Sequence, residues 1–145
     1  MTLANDIIQE VSRAGGAASL VPQAEADRLV ASVRSKFAEP GTQNILWHCL
    51  VDSESMHDPD GWKCIEPMIG GGEFFMLIKD YDRHRMVKIS RGDILTVVLG
   101  ETVGFEFYVF DSELNYLICF NDHDMLIGAG QAAEWVRSLR ESLGR

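Results

Sequence analysis

Apolar residues at Leu3, Ile7 and Val11, with Ala4 and Ile8 beside them, recur at the helical period and predict a helix that Gly15-Gly16 ends. A second helix is expected from Pro22, carrying the stripe Ala26, Leu29, Val30, Val33 and Phe37 and stopped by Pro40-Gly41. Residues 44–51 are continuously apolar after Asn44 except for His48, which predicts an interior strand. Residues 52–61 carry Ser53, Ser55, three aspartates and Pro59, and read as a loop. A short helix or turn is expected over 62–69, a hinge at Gly70-Gly71-Gly72 and a strand over 73–79. Turn residues at 80–83 then return the chain as a hairpin partner over 84–89.

Ser90 followed by Asp93 resembles a capping box opening a helix through Ile94, Val97 and Val98 to Gly100. Strands are expected over 104–110 and 116–121, joined by a loop at 111–115. Alternation puts Phe105, Phe107 and Val109 on one face and Glu106, Tyr108 and Phe110 on the other. Gly128-Ala129-Gly130 reads as a tight turn into a closing helix with the stripe Ala132, Trp135, Val136, Leu139 and Leu143. The fold class expected is α+β: a mainly antiparallel sheet of four to five strands with helices packed against it. At 145 residues the chain suits one domain, with a helical unit over 1–40 and the sheet plus closing helix over 44–145.

Charge narrows the function. The net charge of −9 argues against holding nucleic-acid phosphates and against an anionic membrane surface. The acids are segregated along the chain: residues 38–62 hold five and 92–136 hold eight, neither stretch with a Lys or Arg. Folded onto one side, these would form a single acidic field awaiting a basic partner; a solubility role is the plainer alternative. The residues assigned to such a surface are Asp52, Glu54, Asp58, Asp60, Glu106, Asp111, Glu113, Asp122 and Asp124, with Trp62, Tyr81 and Tyr108 as aromatic anchors. No apolar or basic leader opens the chain, and Cys49, Cys64 and Cys119 are odd in number without a C-x-x-C pair, so a reducing cytoplasm is expected.

Catalytic and cofactor signals are few. His123 lies between Asp122 and Asp124, a set that could serve a small metal- or ligand-dependent enzyme, with His48 or His57 nearby. Neighbours in a strand point apart, so the three converge only if the segment turns; the plainer reading is a loop with local turn hydrogen bonds. No four-ligand metal spacing, nucleophile elbow or phosphate loop is present, and neither metal nor cofactor is expected.

The ending, Gly104-Phe105-Glu106-Phe107-Tyr108-Val109, then Cys119-Phe120-Asn121-Asp122-His123-Asp124, then Gly130, Ala132, Glu134 and Trp135, resembles small uncharacterised bacterial proteins, some of which look like immunity proteins of toxin systems. The resemblance covers the last third of the chain and transfers no catalytic residue. It implies a non-enzymatic binder, an inhibitor whose acidic surface imitates the phosphates held by a basic toxin. A small enzyme built on His123, or a non-catalytic housekeeping subunit, are the alternatives.

Overall fold

The computed structural model describes residues 2–41, 46–80, 83–102 and 104–144. In chain order the elements are α1 (Leu3–Arg13), β1 (Ala18–Leu20), α2 (Gln23–Phe37), β2 (Glu54–His57), α3 (Ile65–Ile69), β3 (Phe74–Asp80), β4 (Arg83–Ile89), α4 (Leu95–Glu101), β5 (Phe107–Phe110), β6 (Tyr116–Phe120), β7 (Met125–Gly130) and α5 (Gln131–Ser142). Short 3-10 turns occupy Leu46–His48 and Gly61–Cys64. The fold is α+β, and its one sheet has seven strands, more than the four to five expected, in the order β1-β4-β3-β5-β6-β7-β2. Every pairing is antiparallel.

Helices cover both faces. Ile7 and Val11 of α1, Ile65 of α3, Val98 of α4 and Val136 of α5 pack with Met76, Val109 and Ile118 on one side. Val33 and Phe37 of α2, with Leu46 and Cys49, cover Leu77, Phe110 and Cys119 on the other. This is why β3 and β6 are apolar at nearly every position and show no alternation: neither face meets water. The sorting of Phe107 and Val109 from Tyr108 and Phe110 follows the expected period of two.

Four expectations are corrected. Residues 46–51 form no ladder strand: Leu46–His48 is a 3-10 turn, and Leu50 makes one isolated bridge with Ala38. Asn44 and Ile45 lie outside the described residues. An apolar run marks burial without saying whether it lies in a sheet or over one, and here Leu46 and Cys49 lie over it. The loop expected over 52–61 contains β2, where Met56 alone is buried, too little alternation to announce a strand. Gly128 and Ala129 continue β7, and the turn into the closing helix falls on Gly130 alone, φ 64°, directly before Gln131; a Cβ at Gly128 would lie 2.5 Å from the Ala132 carbonyl oxygen, so that glycine marks where α5 rests on the strand. Ser90 does not cap α4: its hydroxyl accepts the Ala17 N–H at 2.9 Å, while Asp93 pairs with Arg91.

The opening segment also contributes to the sheet, since Ala18 pairs with Ile89 and Leu20 with Val87. The strand expected over 104–110 begins only at Phe107. Residues 104–106 approach the sheet end without joining it, and their position creates the site.

Candidate functional site

Register fixes which residues share an end of the sheet. Phe107 faces Phe120, and Phe120 faces Leu126, so the 104–106 approach and the 121–124 turn lie together at what we call the upper end. His57 faces Met125, which brings the 58–62 segment there as well. The 111–115 turn lies at the lower end, where Phe110 faces Leu117 and Tyr116 faces Gly130. Five residues of β6 separate the ends, about 14 Å at ~3.4 Å per residue.

The nine candidate acids therefore do not form one field. Asp58, Asp60, Glu106, Asp122 and Asp124 gather at the upper end; Asp111 and Glu113 sit at the lower end. Asp111 is occupied by its own turn, accepting the Asn115 backbone and side-chain N–H groups at 2.7 Å each, and Glu113 is exposed. Exposed Asp52 has a left-handed backbone, φ 50°, in the bend before β2. Glu54 is paired: Arg137 and Arg140 of α5 approach its carboxylate at 2.9 and 3.2 Å and hold it below the usual carboxylate range. The stretch without bases in sequence thus meets its bases in space.

Nor are all the upper acids surface groups. Asp58 is buried; its Oδ1 accepts the Asp60 N–H and its own N–H reaches the Asp124 carbonyl, both at 2.9 Å. Asp60 is exposed, 3.3 Å from the Lys63 ammonium. Tyr108 is buried too: its hydroxyl accepts the Trp47 N–H at 3.2 Å, and desolvation pushes the phenol far above its ordinary value. It anchors the 46–48 turn onto the sheet. Trp62 is half-buried, with the Lys63 ammonium 5.4 Å from its ring centre. Tyr81 lies outside the described residues.

The turn after β6 is organised by Asn121, which is buried and accepts the N–H groups of His123 and Met125 on Oδ1 at 2.9 and 3.0 Å. Asp124 closes it with a left-handed backbone, φ 60°. His123 stands exposed, its Nε2 3.6 Å from Asp122 Oδ1. This is the local turn geometry expected of such a segment. Among the described residues no three His, Cys, Asp or Glu side chains group closely enough to hold a metal ion.

Two cavities open at this end and share Gly104, Phe105, Glu106 and Asp122. The smaller, about 300 Å³, lies on the α4 side between Trp62, Leu99, Phe105, Phe107 and Phe120. Glu106, Asp122 and Asp124 line it, and no Lys, Arg or His does among the described residues. The larger, about 740 Å³, lies on the α2 side, around Trp47, Arg34, Lys79 and His84. Glu106 stands between the two. It accepts hydrogen bonds from the Trp47 side chain and the Asp122 backbone, yet desolvation first, and then the Asp122 charge, raise its carboxyl above the usual range. Trp47 in turn packs edge-on to His48 at 3.8 Å and His123 at 5.9 Å between ring centres.

Trp47, Arg34, Lys79 and Asn121 were not singled out as site residues by sequence reasoning. Lys79 and His84 flank an expected hairpin turn, so their juxtaposition was readable; the approach of Arg34 and Trp47 depends on how α2 and the 46–48 turn fold over the sheet. Comparison with protein-family models, curated proteins and solved structures found no match. Among the described residues no helix is long and apolar enough to cross a membrane.

Proposed function

We propose that the protein is a non-catalytic binding module, of the immunity-inhibitor kind, whose acidic upper rim receives a basic protein partner. The observation that carries this reading is the smaller cavity, whose charged lining is carboxylate only: Glu106, Asp122 and Asp124. Aromatic surface from Trp62 and Phe105 stands beside those charges. A Lys or Arg side chain entering there pairs with carboxylate and stacks on a ring face, the two interactions such groups favour. The raised carboxyl of Glu106 supports the reading as well, since an incoming cation relieves its repulsion from Asp122.

The test is capture of the partner from the source cells, followed by association kinetics across a salt series. Association should slow as salt rises, and Asp60→Lys with Asp122→Lys should cut the on-rate about tenfold while leaving the unfolding transition in place. Both residues are exposed, whereas buried Asp58 is unsuited to charge reversal. Failure to recover any basic partner, or an on-rate indifferent to salt, would sink this reading in favour of acidity for solubility alone.

A further inference from the structure

Asn121 brings an unused donor to the smaller cavity. Its Oδ1 accepts the N–H groups of His123 and Met125, which fixes which branch of the amide is oxygen. The other branch, Nδ2, is buried and has no hydrogen-bond partner among the described residues. An amide donor left unmatched inside a protein costs about 1–3 kcal/mol, and a side chain only 2% exposed cannot recover that from bulk water. Asn121 lines the smaller cavity together with Glu106, Asp122 and Asp124. Lys63 is engaged with Asp60 at 3.3 Å and does not line that cavity.

The cavity thus asks for two kinds of group at once. Its carboxylates take a cation, and Asn121 takes an acceptor. Arginine and lysine side chains carry donors and no acceptor, so a side chain alone leaves Nδ2 unmatched. A peptide supplies the missing acceptor as a main-chain carbonyl. Of the two cations the aromatic walls, Trp62 and Phe105, favour arginine, because a planar guanidinium stacks on a ring and forks toward carboxylates. A free carboxylate at a chain end is the wrong acceptor, since Asp122 and Asp124 repel it.

We propose that the group entering the smaller cavity is an internal arginine of the partner, its guanidinium on Glu106 and Asp122 and a neighbouring main-chain carbonyl on Asn121 Nδ2. This rests on the reading of the rim as the seat of a basic protein, and adds to it the anchor residue and the part played by its backbone. At about 300 Å³ the cavity is at the small end of ligand sites, suited to one side chain with its adjoining peptide group.

Nuclear magnetic resonance titration of the whole, isotope-labelled protein tests this with four peptides. They are acetyl-Gly-Arg-Gly-amide, its citrulline and lysine counterparts, and acetyl-Gly-Arg ending as a free acid. At millimolar concentration the arginine amide should shift the side-chain N–H signals of Asn121. Citrulline keeps the shape and loses the charge, and should bind about tenfold more weakly. The lysine peptide and the free acid should each bind about threefold more weakly than the arginine amide. Asp122→Asn, at an exposed site, should weaken the arginine amide about threefold and leave the citrulline peptide unchanged. An arginine amide that binds no better than its citrulline counterpart, that leaves the Asn121 signals in place, or that does not bind at all overturns the proposal. Should the variant fail to fold, the peptide comparison on the unaltered protein still decides it. A captured basic partner that binds without moving the Asn121 signals overturns the arginine anchor and leaves the reading of the rim standing. Peptides that bind in the stated order while no partner is captured uphold the anchor and remove the wider reading.

Discussion

Asp80, at the end of β3, accepts the backbone N–H of Ala4 on Oδ2 at 3.2 Å and that of Leu3 on Oδ1 at 3.4 Å. A buried carboxylate from the middle of the chain thereby serves the first turn of α1, where amides lack partners within the helix and the dipole favours negative charge. Thr2 supplies a third contact, accepting the Asn5 N–H. Asp80→Ala removes two of these acceptors and leaves Arg85, 4.0 Å away, without its carboxylate. The expected loss is about 1–2 kcal/mol in urea unfolding, in the range of a lost helix cap. Thr2→Ala, which loses one solvent-exposed hydrogen bond, should cost less.

Gly128→Ala should destabilise by about 1–3 kcal/mol, because the added methyl has nowhere to go. Its Cβ would lie 2.5 Å from the Ala132 carbonyl oxygen and 2.8 Å from Val136 Cγ2. Both neighbours belong to α5, so only a shift of that helix gives relief. Gly72→Ala is the control: nothing lies within 4 Å of its Cβ, and its unfolding midpoint should stay close to that of the parent.

Glu106 makes a pH prediction with the opposite sign to most carboxylates. Its folded pKa is raised above 4.5 by desolvation and by Asp122, so the folded chain holds a proton more readily than the unfolded chain. Its contribution to stability is therefore greatest below the unfolded value and is lost as pH rises through the folded one. Glu106→Gln should stabilise the protein at pH 7, and the gap should close as pH falls below 4.5. A gap independent of pH would show that packing and not ionisation sets the difference. Glu54 behaves conversely. Its pKa is lowered by Arg137 and Arg140, so Glu54→Gln should cost stability at pH 7, and that cost should fade as pH drops below 4.5.

Thiol chemistry supplies a fourth check. Cys119 is buried, and desolvation followed by the Glu106 charge pushes its thiol well above the ordinary range, which suppresses the reactive thiolate. Alkylating reagent should leave Cys119 untouched in the native protein and modify it once denaturant is added. Mass spectrometry after digestion reads both states.

The two N-terminal helices, the β3–β4 hairpin, β5, β6 and the closing helix were legible because each carries its own periodicity or turn signals. Leu3, Ile7 and Val11 announce α1 without help from the rest of the chain. What stayed hidden depends on contacts between distant segments. β2 has one buried residue, and its strand character comes from pairing Ser55 with Ile127. Gly128 looked like turn chemistry because its actual reason, the closeness of α5, is visible only in three dimensions. The site divided in the same way. The acids at 122–124 and at 106 were named from charge alone, yet the segregation of charge along the chain could not show that Arg137 and Arg140 return to Glu54. Nor could it place Arg34 against a hairpin on the far side of α2's connection.

The order of the strands sets a timetable for synthesis. β2 occupies one edge of the sheet, and its neighbour is β7; β1 occupies the other edge, and its neighbour is β4. Residues 54–57 thus emerge from a ribosome well before 125–130, a wait of several seconds at ~5–20 residues per second. Through that interval β2 has no ladder to join, and the upper rim is incomplete because its 121–124 turn has not been made. A nascent chain paused before residue 121 leaves the edge of β2 unpaired and should be a substrate for chaperones. The upper rim is completed only when residues 121–124 are made, so a chain that stops before them lacks the turn that Asn121 organises.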